Sequence, residues 1–347
     1  MPRFEPFRGL RYSAAAAPFA DLIAPPYDVV DAAERSRLAE RSPYNAIHVE
    51  LPAPDAARGL DRYRVAAALF EAWRAEGVLV RDPSPSLYVY KMSYLDDAGR
   101  PRGTTGVIGA LGLEPFGGAV VPHEQTMAAP GRDRLDLLRA CRVNCSPIWG
   151  LSLAPGLTAA CTAVIERSRE HVAATDDEAT EHEMWRVDDE SALRSIATLV
   201  APEPVVIADG HHRHETADRY RAECPARHAD TPDGCDSIMA FVAELAPAEL
   251  ALHAIHRLVS GLPDGFDLLG ALARCFRLEP VTADLDALTG QMATRGTAAL
   301  VTACGAWLLL PRTDEPARRG APDSRRVDAA LAALPPHRTD HEHGTGR

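Results

Sequence analysis

The stretch "VVIADGHHRHETADRY", Val205 to Tyr220, constrains this chain more than any other part of it. Its apolar run reads as a strand ending at Asp209, Gly210 permits a tight turn, and a helical pattern follows. A strand passing straight into a helix commits the chain to layered α/β packing. The strand's carboxyl end and the helix's first free N–H groups then open at one place. Oriented amides and the helix dipole attract anions there, phosphate above all. Arg213 can hold two oxygens with its planar fork, and His211 and His212 add donors that work without a full positive charge. Asp209 does not suit a pure anion site, because a carboxylate repels phosphate unless a metal ion or a substrate donor lies between them. Two other readings stay open. His211 and His214, three apart on one helix face, could begin a zinc site, although spacing supplies no third ligand. The segment could also be a plain helix start with solvated histidines.

Composition narrows the function classes. A length of 347 residues allows one large or two modest domains, and 46% hydrophobic content is ordinary for a globular chain. No apolar run reaches the roughly 18–20 residues of a membrane span, and "MPRFEPFRGLRY" lacks the apolar core of a secretory signal. The expectation is a cytoplasmic protein without a membrane partner. A formal net charge of −12 disfavours a nucleic-acid reader, which needs a concentrated basic face. Lys91 is the only lysine, so basic phosphate contacts must come from arginine or histidine, and a Walker-type Gly-Lys-Ser/Thr loop is excluded. The seven cysteines form no C-x-x-C pair and read as buried free thiols of a reducing compartment.

Along the chain, hydrophobic periodicity gives a mixed α/β region over 1–84 and a site-bearing core over 85–262. A C-terminal α/β segment over 263–315 and a disordered tail over 316–347 complete the expected organisation. Helices are expected from about Asp31 to Arg41, up to Gly77, and from Arg132 to Val143. Strands are expected at "AIHVEL", in "SLYVYKMSYLDDAGRPRGTTGVIGALGLEP", at "SPIWGLSL" and at "SIMAFVAEL", with a hairpin turning at Cys304-Gly305. Glu166 to Glu190 reads as acidic surface connections around a short element at "EMWRV".

Two further constellations could carry chemistry. "VVPHEQTMAAPGRDRLDLLRACRVNCSPIWGL" puts His123, Glu124 and Thr126 in a turn after a strand, and Asp133 and Arg134 at a helix start. Asn144 and Ser146 follow in the next loop. Helix capping with surface salt bridges is the plainer reading of the same residues. "APPYDVV" holds Asp28 behind a rigid Pro25-Pro26-Tyr27 segment, which suits positioning a group and equally suits a plain turn.

"APPYDVV", "PHEQTMAAPGRDRLDLLRACRVNCSPIWGL" and "VVIADGHHRHETADRY", in this order, resemble domain-of-unknown-function family 1015 from about Arg3 to Val259. The Asp-Gly-His-His-Arg element also resembles the phosphate-binding motif of free L-serine kinases, which share the fold of the partition protein ParB and sulfiredoxin. The resemblance implies a mixed-sheet α/β (α+β) fold with a ParB/sulfiredoxin-like core. It implies a kinase that uses ATP or ADP with magnesium to phosphorylate a small hydroxy amino acid, L-serine first. By that resemblance Gly210, His211, His212 and Arg213 hold the phosphates and Glu215 supports Arg213. Asp209 faces magnesium or the acceptor hydroxyl. Phosphoryl transfer calls for a second carboxylate, and Glu124 is chosen as base, with His212 beside the reacting groups. His123, Thr126, Asn144, Ser146 and Asp28 are left to bind the amino acid. A nucleotide-switched regulator of the ParB kind and a metal-dependent hydrolase remain as alternatives, and self-association into a homo-oligomer is left open. Past "AWLLLP" the chain runs into "PPHRTDHEHGTGR" in place of the family's Pro-Lys-Ser-Thr-like stretch.

Overall fold

A nine-stranded mixed sheet organises the first of two compact units, Met1–Ala251 and Leu252–Arg347. The computed structural model describes residues 2–16, 18–96, 99–114, 120–122, 130–168, 171–224, 234–246, 255–282, 284–312, 327, 330, 331–335 and 338–343. In chain order the first unit runs β1 (Phe4–Glu5), β2 (Leu10–Tyr12), α1 (Ala32–Arg41), α2 (Ile47–Glu50), α3 (Arg62–Ala75), β3 (Leu79–Arg81), β4 (Leu87–Leu95) and β5 (Pro101–Gly112). It continues with β6 (Val120–Pro122), α4 (Pro130–Cys141), β7 (Ile148–Ser152), α5 (Leu157–Arg167), β8 (Val172–Thr175) and β9 (Glu181–Val187). It ends with α6 (Glu190–Val200), β10 (Val205–Asp209), α7 (His211–Glu223) and β11 (Ser237–Glu244). The expected boundary after residue 84 falls inside this unit.

The sheet order is β6-β10-β7-β11-β5-β4-β9-β8, with β1 joined to the end of β5. β10 is parallel to β6 and β11 is parallel to β7, while the other pairs are antiparallel. One face buries Val107, Ile148 and Val242 with Leu157 and Cys161 of α5 and Ile196 of α6. A second cluster joins Val49, Ala66, Phe70 and Trp73 to Leu137 and Cys141, so α4 packs with α3. In α3 the buried residues fall at helical spacing, and Asp61 caps its start by accepting the N–H groups of Tyr63 and Arg64, both at 3.0 Å. Asp61→Ala is expected to cost about 1 kcal/mol of stability, read by chemical denaturation.

Two expected elements change type. "AIHVEL" is the helix α2 and not a strand, because Asn45 fixes a helical turn. Its Oδ1 accepts the Ile47 N–H at 2.9 Å and its amide donates to the carbonyls of Asp21 and Ile23. The acidic stretch around "EMWRV" is the hairpin β8–β9 at the sheet's edge, where Trp185 and Val187 enter the core while His182, Met184 and Arg186 alternate onto the other face. Cys224 and Cys235 form a disulfide, so the reading of uniformly free thiols fails for this pair. Cys141, Cys145, Cys161, Cys275 and Cys304 are free.

The second unit contains β12 (Ile255–Ser260), α8 (Leu268–Leu272), β13 (Phe276–Val281), α9 (Leu285–Arg295), β14 (Ala298–Thr302), β15 (Gly305–Pro311) and β16 (Arg338–His343). β13-β15-β14 form an antiparallel sheet, and the β14–β15 hairpin turns where its sequence indicates. β16 pairs antiparallel with β12, so six residues of the tail read as disordered form a strand. Among the described residues no helix is long and apolar enough to cross a membrane.

Candidate functional site

The junction after β10 forms as its sequence requires. Gly210 adopts φ 90° and ψ 25°, a left-handed conformation, and the α7 ladder starts with the His214 N–H donating to the Gly210 carbonyl at 3.0 Å. Space is as restrictive as the dihedral. A Cβ at Gly210 would lie 2.8 Å from Ile148 Cγ2 and 3.1 Å from Arg213 Nε. Gly210→Ala is therefore expected to lose about 1–2 kcal/mol from the backbone alone, and more from the clash with Ile148. A denaturant midpoint unchanged from wild type would contradict this.

The four polar residues after Gly210 divide by exposure. His211 and His214 are buried, His214 to 2% exposure, which removes the reading of solvated histidines for these two. Burial lowers the His214 pKa from its ordinary value. His212 is half-buried, and its Nδ1 has no hydrogen-bond partner among the described residues. Arg213 does not hold its fork open. One amino group donates to the Pro147 carbonyl and the other pairs with Asp209 Oδ2 at 2.5 Å. Arg213 is only 12% exposed, whereas Asp209 is 54% exposed. Glu215 lies 4.0 Å from Arg219, so the support expected for Arg213 from Glu215 comes instead from Asp209 and Pro147.

Neighbouring segments converge on this junction. β6 runs parallel to β10 with Pro122 opposite Ile207, so the chain leaves both strands at the same end of the sheet. His123, Glu124 and Thr126 follow β6 in sequence and lie outside the described residues. Asn144, exposed, and Ser146, half-buried, sit in the loop between α4 and β7, which starts at Arg142 in a left-handed conformation of φ 55°. Pro147, at the end of that loop, accepts from Arg213.

Three residues that sequence patterns alone did not assign complete the cluster: Tyr27, Glu50 and Arg134. Arg134 is 7% exposed, pairs with Asp133 Oδ2 at 2.5 Å and Glu50 Oε2 at 3.1 Å, and stacks over the Tyr27 ring at 4.2 Å. The reading of this helix start as surface salt bridges fails, because this ion pair is buried. Tyr63 donates to Asp133 at 2.8 Å and Arg62 approaches it at 2.6 Å. Burial would raise Asp133, but these cations and the Tyr63 hydroxyl outweigh it and hold its carboxyl below the ordinary value. Tyr27 connects the motifs. Burial and Asp28 raise its pKa, Arg134 and Arg213 oppose the rise, and Asp209 adds to it. Those charges come from all three of the segments singled out in the sequence. Exposed Asp28 lies beside Tyr27 in the Pro26–Val29 turn. Cys145 is accessible to solvent, yet enclosure by protein, with Glu50 and Cys141 nearby, pushes its thiol pKa well above the ordinary range.

Residues 4–333 match the family model described as protein of unknown function (DUF1015). The chain belongs to this family. The match extends beyond the stretch to about Val259 in which the resemblance is legible, and DUF1015 thus covers sequence from both compact units. No curated protein and no solved structure matches the chain. Charges from all three DUF1015-like segments act on Tyr27, and the signal for Tyr27 and Arg134 lies inside them, in "APPYD" and "GRDR".

Proposed function

We propose that this DUF1015 protein is a nucleotide-dependent kinase that transfers a phosphoryl group to a small metabolite's hydroxyl. Free L-serine is the leading acceptor and O-phospho-L-serine the product, on a core of the ParB/sulfiredoxin kind. One observation carries the reading: a glycine with positive φ turns β10 into α7 directly beside an exposed carboxylate. The amides of His211, His212 and Arg213 would cradle the phosphates of ATP or ADP, with the half-buried His212 side chain beside them. His211, being buried, offers only its backbone.

Magnesium fits the donor set. Asp209 engages Arg213 through Oδ2 alone, leaving Oδ1 as a hard oxygen ligand, and magnesium is usually held by one or two carboxylates plus phosphates. The nucleotide's phosphates would supply further oxygens of its shell. When bound, the ion would neutralise charge developing on the transferred group. Arg213 positions Asp209 against the loop at Pro147. Glu124 would take the acceptor's proton, while Thr126, His123, Asn144, Ser146 and Asp28 would hold the amino acid.

The Asp209–Arg213 pair, which an incoming ligand would have to share, also suits a nucleotide-switched regulator of the ParB kind. Measuring nucleotide consumption with and without added acceptor separates the two. A kinase consumes nucleotide in proportion to L-serine. Consumption indifferent to every hydroxylated acceptor would replace the kinase with the switch.

A further inference from the structure

A row of rings crosses the sheet away from the candidate cradle. Trp149 lies opposite Asp209 in the β10–β7 register, and its ring meets Phe241 at 5.6 Å between centroids. Phe241 meets Tyr90 edge-on at 5.4 Å, and Tyr90 stacks on His182 at 6.0 Å. Phe241 and Tyr90 touch across β5 only because residue 106 is glycine, where a Cβ would come within 2.6 Å of the Phe241 ring. Trp149, Tyr90 and His182 remain partly exposed, while Phe241 is buried at 4% exposure and serves as the packing between Trp149 and Tyr90.

The row ends in a hydrogen-bond relay. His182 Nε2 stands 3.0 Å from Asp176 Oδ2, and His182 Nδ1 stands 2.6 Å from the Tyr90 hydroxyl. The other Asp176 oxygen accepts the N–H groups of Glu178 and Thr180. A carboxylate only accepts, so Nε2 carries the hydrogen, and in that Nε2–H tautomer Nδ1 accepts from the Tyr90 hydroxyl. Burial, with the Asp176 charge, pushes Tyr90 up to about 12, so it stays protonated and its O–H donates a hydrogen bond to His182. The lone pairs of the Tyr90 oxygen are left to accept from a ligand N–H.

The spacing gives the ligand's size. Strands lie about 4.8 Å apart, so Trp149 is one step or about 5 Å from Asp209, and Tyr90, four steps across and two residues along β4, is about 20 Å away. These two distances bracket the separation of base and terminal phosphate in an extended nucleoside triphosphate. Aromatic side chains are good stacking partners for any base, and an acceptor fixed at the end of the row selects a base with an amino group.

We propose that the partly exposed Trp149 and Tyr90, held in place by the buried Phe241 between them, form the nucleobase subsite, with the Asp176–His182 relay fixing Tyr90 to accept the exocyclic amine of adenine. The assignment rests on the nucleotide reading above and adds base selection to it. The test is equilibrium binding of ATP, ITP, which lacks that amine, and inorganic tripolyphosphate, to wild type and Tyr90→Phe. Wild type should bind ATP about tenfold tighter than ITP, the contribution of one hydrogen bond, and Tyr90→Phe should erase the difference while leaving tripolyphosphate affinity unchanged. Equal affinity for ATP and ITP in wild type overturns the subsite, a result that needs no variant to fold. A preference that survives Tyr90→Phe also overturns it. Binding of none of the three ligands removes the nucleotide reading together with the subsite. ATP-selective binding without phosphorylation of any acceptor leaves the subsite standing and removes the kinase.

Discussion

Asp209→Asn should abolish phosphoryl transfer, by at least about a hundredfold in kcat, while costing no more than about 1 kcal/mol of stability. The carboxylate is 54% exposed and Arg213 12%, so the pair opens to water on the Asp209 side, and Arg213 keeps the Pro147 carbonyl and an Asn oxygen, which holds the loss to about 1 kcal/mol. The amide keeps the shape of the side chain and one acceptor oxygen but removes the charge a cation or an acceptor hydroxyl would need. Glu124→Gln should give the same loss through the second carboxylate, with nucleotide affinity retained in both variants. A titration of nucleotide binding beside a steady-state rate measurement separates the effects. Unchanged rates in both variants would remove the assigned roles.

Asp82→Asn should do the reverse, destabilising the fold by about 3–5 kcal/mol, because it breaks a buried ion pair from one side. Asp82 is 3% exposed and receives Arg11 at 2.6 and 2.8 Å and the Tyr88 hydroxyl at 2.6 Å, with Arg186 at 3.7 Å. This knot fastens β2 and β3 to β4 and β9. Burial alone would raise the Asp82 pKa, but the hydrogen bonds and charges of Arg11, Tyr88 and Arg186 outweigh it and hold the carboxyl below its ordinary value. A carboxyl depressed in the folded state contributes stability above its unfolded pKa of about 3.9, and that contribution disappears as pH falls through the lower folded value. Wild type should therefore lose stability on acidification below about pH 4. The Asn variant, less stable at neutral pH, should show a shallower acid limb in denaturation curves taken across that range.

Local signals carried much of the fold, and non-local ones hid the rest. The β10–Gly210–α7 junction, α3 and the β14–β15 hairpin are legible because their causes are local: a glycine at positive φ, an aspartate cap, a two-residue turn. α2 is not legible as a helix, since its six-residue pattern reads as a strand until Asn45 is seen bonded to Asp21 and Ile23, more than twenty residues earlier. The site followed the same division. Asp209, Gly210 and His212 are where the motif indicates. The pairing of Arg213 with Asp209 and Pro147, and of Arg134 with Glu50, depends on contacts between distant segments that spacing does not encode.

The central claim is that the Gly210 turn and its carboxylate serve phosphoryl transfer to a hydroxyl. Its most direct test is to incubate the protein with ATP or ADP, magnesium and a panel of hydroxylated metabolites, and to read the products by mass. The account predicts a phosphate adduct of L-serine that grows with time and is missing with Asp209→Asn. Nucleotide turnover without an adduct on any acceptor in the panel would contradict it.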